Sequence, residues 1–190
     1  VDIQPVATQI SKLRFFISLI VDQKVSAKKD NFGIRPLPNL ETKFVAANTL
    51  IGIEKPKAQI TFGSAEVKAL EEQLKDVRHR LFSAKTPATK RKLREDDKAF
   101  REQMGDLLIK SGWENETARQ LAGWDPYDQN TSSPFFDPEW MFGLSDGFDV
   151  VIGNPPYGLV GSDQIEARKY YTSGRFKLTA YKINLYLLFL

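Results

Sequence analysis

The stretch FDVVIGNPPYG, Phe148 to Gly158, decides how the rest of the chain is read. A near-continuous apolar run, Phe148 to Ile152, suits a strand of a parallel sheet covered on both faces. It gives way to Gly153, Asn154, two prolines and Tyr157. Proline lacks an N–H and fixes φ, and it holds the residue before it extended. Asn154 and Pro155 are therefore stiff. They offer two acceptors, a carboxamide oxygen and the Pro155 carbonyl, with no competing donor at Pro155 or Pro156. Tyr157 adds a flat face. Such a cluster suits a planar molecule carrying an exocyclic NH2 group. The amine of a nucleobase is a poor nucleophile because its lone pair is delocalised into the ring. Two fixed acceptors on its hydrogens favour a tetrahedral nitrogen and free that pair with little reorganisation. An aromatic ring stacked on the base adds about 1–3 kcal/mol. The plain alternative is a strand-ending turn, since Asn-Pro opens many turns.

Upstream, Val1-Asp2-Ile3 reads as the tail of a strand, and Pro5 sits where helices often start. Val6, Ile10, Leu13, Ile17 and Ile20 recur at three- and four-residue spacing, the stripe of a core-facing helix. IRPLPNL is a proline-punctuated loop. KFVAANTL, Lys43 to Leu50, reads as a short strand whose terminal turn holds Asn48 and Thr49. Ser64 resembles an N-cap with early acids behind it, and Val67, Leu70, Leu74, Val77 and Leu81 then make a narrow stripe. Thr86-Pro87 opens a second helix, continued by Leu93, Phe100, Met104, Leu107 and Leu108. ETARQLAGW suggests a third. Gly123 to Pro138 is loop, and the terminal LTAYKINLYLLFL reads as a helix. Strand, helix, strand, helical excursion, strand, helix is an α/β order. Ligands of such sheets sit beyond the carboxyl ends of the strands, where Asp2, Asn48 and Asn154 fall. The expected division is an α/β core from residues 1–63 and 124–190, with a helical hairpin inserted at 64–123.

Composition narrows the chemistry. The chain has 190 residues, 42% hydrophobic and 27% charged, with a net charge of +3 that permits a nucleic-acid partner without requiring one. It has no cysteine and a single histidine, His79, which argues against thiolate or histidine metal sites and against a His-based triad. No apolar run is long enough to span a bilayer, so a cytoplasmic protein is expected. The chain opens on Val1 without an initiator methionine and stops at Leu190 inside an apolar run, and so reads as a piece of a longer polypeptide. His79 lies off its helix stripe and reads as exposed. The basic run Lys85 to Arg94 reads as a solvated turn more readily than a phosphate contact, because Glu95, Asp96 and Asp97 follow it. Phe135, Phe136, Trp140 and Phe142 read as packing under a sheet edge.

On these residues the sequence resembles the amino-group DNA methyltransferases that act on adenine N6, whose catalytic tetrapeptide has the form N/D/S-P-P-Y/F/W. More narrowly, it resembles the methylase part of Eco57I-type restriction–modification enzymes. VDIQPVATQISKLRFFISLIVDQ is similar to the segment with the acidic residue for the cofactor ribose. PLPNLETKFVAANTLIG is similar to the segment lining the cofactor adenine, and YKINLYLLFL to the helix after the catalytic strand. The resemblance implies a partial Rossmann-like methyltransferase fold with a helical-hairpin insertion, S-adenosyl-L-methionine as cofactor, and double-stranded DNA with a flipped adenine as substrate. It implies that Asn154 and the Pro155 carbonyl hold the amine, that Pro156 completes the motif, and that Tyr157 stacks on the base. Asp2 with Ile3 would meet the cofactor ribose, although a helix-start charge is an alternative for Asp2. Asn48 with Thr49 would lie by the cofactor adenine, where many relatives carry aspartate. Asparagine at the first motif position favours adenine over cytosine. The glycine-rich cofactor loop expected before VDI, and the target-recognition region expected after the catalytic half, are not found in these residues. The isolated chain is therefore expected to bind cofactor weakly and not to methylate, its partners including the remaining parts of a parent polypeptide.

Two other readings use the same residues. The motif also serves methylation of a protein glutamine amide or of a ribosomal RNA base. A non-catalytic nucleic-acid-binding subunit could keep the fold without the chemistry. No P-D…(D/E)-x-K nuclease arrangement is found.

Overall fold

Between residues 5 and 123, helices form where the three- and four-residue spacing predicts them, while the helices at 138–142 and 165–172 carry no such signal. The structure is a computed structural model and describes residues 1–55, 65–155, 158–174, 176, 183, 185 and 188. The α-helices are α1 (Pro5–Val21), α2 (Ala65–Ser83), α3 (Pro87–Lys110), α4 (Asn115–Gly123), α5 (Pro138–Phe142) and α6 (Ile165–Thr172). Thr86 caps α3 by accepting from the Thr89 amide at 3.2 Å, with Pro87 in the first turn. Ser64, the expected cap of α2, lies outside the described residues, as does most of LTAYKINLYLLFL. No described helix is long and apolar enough to cross a membrane.

The chain divides into two compact units, Val1–Gly147 and Phe148–Leu190. In the first, α2 packs on α3 and α3 on α4. Their stripes meet in one core: Val67, Leu70 and Leu74 from α2, Met104 and Leu108 from α3, Ala118 and Leu121 from α4. Gly105 lets α3 and α4 approach closely, because a Cβ there would meet Ala122 Cβ at 2.7 Å. Phe135 and Trp140 complete this core and are buried, so the aromatic cluster does pack, though not under a sheet. The loop IRPLPNL ties to the end of α2. Asn39 Nδ2 donates to the carbonyls of Leu81 at 2.6 Å and Ala84 at 2.8 Å, satisfying groups that a helix end leaves orphaned. α5, which periodicity does not reveal, is defined by its ends. Asp137 Oδ1 accepts from the Trp140 amide at 2.8 Å, Pro138 follows, and Gly143 closes at φ 72° in the left-handed region.

A buried ionic knot crosses these helices. Asp97 is fully buried, with Oδ1 2.8 Å from Arg78 Nε on α2 and Oδ2 2.8 Å from Arg101 Nε on its own helix. Arg101 also donates to the carbonyls of Ala122 at 3.0 Å and Trp124 at 2.6 Å, and Arg78 donates to Trp140 O at 2.8 Å. The neighbouring phenol of Tyr127 is pushed well above its usual range, first by burial and then by the Asp97 charge. Asp97 therefore does not belong with Glu95 as a solvated neutraliser of the basic run. It sits four residues after Leu93 and seven before Met104, on the apolar stripe itself.

The α/β sheet expected from the sequence is corrected by this structure. Among the described residues there is no strand and no sheet, so the chain is not the Rossmann-like fold that its element order suggested. Among the described residues, segments meet at isolated bridges, including the parallel pairs Asp2–Ala46 and Ala47–Ser133. A strand needs partners for its backbone groups along its length, and here each neighbour supplies one residue pair. FDVVI, read as a doubly covered strand, stands open: Val150 is 74%, Val151 80% and Ile152 93% exposed. The stripe of α1 is corrected in the same way. Val6, Ile10, Leu13, Ile17 and Ile20 are all exposed, and Thr8 is the buried residue of the helix.

Candidate active site

The second unit carries the motif. Phe148 to Pro155 is neither helix nor strand and bends at Asp149, with Asn154 exposed and Pro155 half-buried. Pro156 and Tyr157 lie outside the described residues. The chain beyond the motif is anchored. Leu185 N donates to Gly158 O and Val160 N to Ile183 O, both at 2.9 Å. Val160, Tyr171 and Ile183 are buried, and Arg168 Nη1 on α6 donates to Val160 O at 3.3 Å. The rings of Tyr170, Tyr171 and Phe176 pack edge to face, with centroids 5.5–6.0 Å apart. Asn154 therefore lies between an open apolar segment and a packed one. Its carboxamide has no bond to another described residue, so both its oxygen and its NH2 group are available.

Asp2, Ile3, Asn48 and Thr49 belong to the first unit, and backbone pairing brings their segments together. Asp2 N donates to Val45 O at 3.2 Å, and Ala47 N donates to Asp2 O at 2.8 Å. Asn48 thus follows directly on a residue bonded to Asp2. Ser133 N donates to Ala46 O at 2.7 Å and adds the third segment. Asp2 Oδ1 accepts from Gln4 N at 2.8 Å, just ahead of α1, which is the helix-start role open to this residue. Its Oδ2 has no donor among the described residues. Asn48 Oδ1 accepts from Leu50 N at 3.1 Å in a local turn, leaving its NH2 group to donate. Ile3 is 57% exposed and Thr49 is exposed.

An open groove of about 1000 Å³ in the same unit is lined by none of Asp2, Ile3, Asn48 and Thr49. It runs along α2 to α5 and is lined by Lys68, Glu71, Arg78, His79, Trp140 and Phe142 among others. Hydrophobic periodicity does not reveal it, because it forms where α2 meets α5 and the Thr42–Lys43 turn, residues far apart in sequence. Glu71 is held above the usual carboxylate range, chiefly by burial and then by Glu139. His79 is exposed, as its position off the stripe predicts.

Comparison with curated proteins and with solved structures gives no match. The family described as Eco57I restriction-modification methylase matches over residues 1–190, and the chain belongs to that family.

Proposed function

We propose that this chain is part of an enzyme that moves a methyl group from S-adenosylmethionine to the N6 amine of an adenine flipped out of duplex DNA. The observation that carries this reading is the motif itself, in a member of a methylase family: Asn154 exposed, with Pro155 next to it, at the end of an exposed apolar segment. Asn154 Oδ1 and the Pro155 carbonyl accept the two N–H bonds of the amine, and the nitrogen lone pair is released from the ring. With the lone pair freed, the nitrogen would be the nucleophile toward a methyl donor, and the proton lost from it would leave through the acceptors already bonded to its N–H groups or to water. Pro155 and Pro156 keep the acceptors fixed, and Tyr157 stacks on the base.

Methylases of this family generally use S-adenosylmethionine, which when bound supplies an electrophilic methyl group on a sulfonium. The residues fit its polar parts. Asp2 Oδ2, without a protein donor among the described residues, suits the ribose hydroxyls, and the free Asn48 NH2 group suits an acceptor on the adenine edge. Ile3 and Thr49 flank these two. The helices from Ala65 to Gly123 are read as an insertion in the methylase rather than as part of its site.

The test is transfer of labelled methyl from S-adenosylmethionine to adenine-containing duplex DNA by the full-length protein, beside Asn154→Ala. Label on adenine N6 that falls at least about a hundredfold in the variant is expected, by analogy with removal of one preorganised polar group. Label on ribosomal RNA or on a glutamine amide instead would move the substrate. No label on any of them would leave a binding subunit.

A further inference from the structure

After α1 the chain makes a closed loop from Gln23 to Arg35. The Gln23 side chain pins its two ends, with Oε1 accepting from Arg35 N at 2.6 Å and Nε2 donating to Arg35 O at 3.2 Å. Inside, Ser26 N donates to Phe32 O at 2.8 Å and Asn31 Nδ2 to Ile34 O at 3.3 Å. Loops of this size with joined ends are frequently functional. The tip is left-handed over three residues in succession: Asn31 at φ 51°, Phe32 at 55° and Gly33 at 74°. Asparagine and glycine tolerate that region, whereas a bulky phenylalanine is strained in it. Burial does not offset the strain, because Phe32 is 58% exposed.

The loop is also charged without being neutralised. Lys24, Lys28, Lys29 and Arg35 are exposed, and none pairs with a carboxylate among the described residues. Asp22 and Asp30 share the segment, so four cations against two acids leave +2 from Asp22 to Arg35. The other basic run behaves differently: Arg91 faces Glu95 at 4.0 Å, and Arg94 meets Glu41 at 3.1 Å.

We propose that the Gln23–Arg35 loop touches DNA, its cations on phosphates and the Phe32 ring against an unstacked base. This rests on the DNA reading above. Flipping a base breaks the stack beside it, and proteins that open a duplex insert apolar side chains at such steps. A strained residue persists where its surroundings over-determine it, and such residues cluster at functional sites. The Gln23 clasp supplies that constraint, and the ring stays exposed in a segment that carries four cations.

The experiment is binding of a labelled 30-base-pair duplex (roughly three helical turns) by the full-length protein across a salt series. It is run beside a Lys24→Gln, Lys28→Gln, Lys29→Gln, Arg35→Gln variant and beside Phe32→Ala. The charge variant is expected to flatten the slope of log affinity against log salt by about 3–4, near one unit for each phosphate that is no longer neutralised. Phe32→Ala is expected to keep the slope and to weaken binding about five- to a hundredfold for a duplex with one unpaired base, with Phe32→Trp restoring it. All these side chains are exposed, so helical circular dichroism should not change. If the wild type binds and methylates DNA while both variants bind like it, the loop proposal is overturned and the DNA reading stands. Loop-dependent binding to anionic phosphatidylserine vesicles, with none to DNA, overturns it in favour of a membrane surface. A wild type that neither binds nor methylates DNA removes both.

Discussion

α1 and the α2–α3 pair carry apolar stripes of the same spacing, yet one faces solvent and the others form the core. In α2, Leu70, Leu74 and Val77 are buried; in α1, Ile10, Leu13 and Ile17 are more than half exposed. The difference lies in the neighbours. α2 and α3 are adjacent in sequence, joined by a turn with its own cap at Thr86, so each stripe finds the other locally. Among the described residues α1 meets Phe44 through Phe15, with ring centroids 6.0 Å apart, and reaches Gln129 and Asn130 by hydrogen bonds from Gln9 and Lys12, none of which covers the apolar stripe. Periodicity specifies that a face exists and leaves open what covers it.

The largest expected effect probes what locks the covered pair. Asp97→Ala leaves Arg78 without a carboxylate and Arg101 with only the half-exposed Asp125 at 3.6 Å. It is expected to cost about 3–5 kcal/mol in urea unfolding, the usual penalty for breaking a buried ion pair on one side. Glu95→Ala, two residues away and exposed, should stay within about 0.5 kcal/mol. Equal costs would mean that the knot is not desolvated. Next comes the comparison itself. Leu74→Ala should cost about 2–5 kcal/mol through the cavity it opens, and Leu13→Ala no more than about 0.5 kcal/mol. A large cost at Leu13 would break the contrast and mean that α1 is covered in solution. The smallest effect sits at the rim of α2. Glu71 ionises less readily in the folded chain than its free value of 4.5, because burial and Glu139 disfavour its charge. Its contribution is therefore favourable below pH 4.5 and is lost as pH rises through the folded value. Glu71→Gln should raise the melting temperature slightly at about pH 7 and leave it unchanged below pH 4.5. A gain at both pH values would point to packing instead.

The helices were legible because their signals are local. Pro5, Thr86-Pro87 and the leucine spacing each act within one or two turns, and α1, α2, α3 and α4 follow. That no sheet forms among the described residues was not legible, because pairing is a long-range event. Val45–Ala47 and Phe148–Ile152 have strand composition, and the first finds single bridges while the second stands open. Asp97 was misplaced since it follows two other acids. The signal available was its register with Leu93, Met104 and Leu108, together with Arg101 four residues on. α5 and the Gln23 clasp depend on side chains meeting backbone at turns, which no hydrophobic period reports. Of the candidate site, the stiffness of Asn154 and Pro155 is an inference from proline geometry, whereas the helix-start role left open for Asp2 in the sequence acquires an observed partner in the Gln4 amide.

All three tryptophans, Trp113, Trp124 and Trp140, fall in Val1–Gly147 and close to the helical core. Trp140 donates its indole N–H to Leu121 O at 3.1 Å, and the Arg78 guanidinium lies over Trp124 at 5.8 Å from the ring centroid. Intrinsic emission is therefore an optical gauge of the first unit. A melting curve recorded at tryptophan wavelengths would follow the loosening of α2, α3 and α4. The unit that holds Asn154 has only tyrosine and phenylalanine as natural chromophores and calls for a probe of its own.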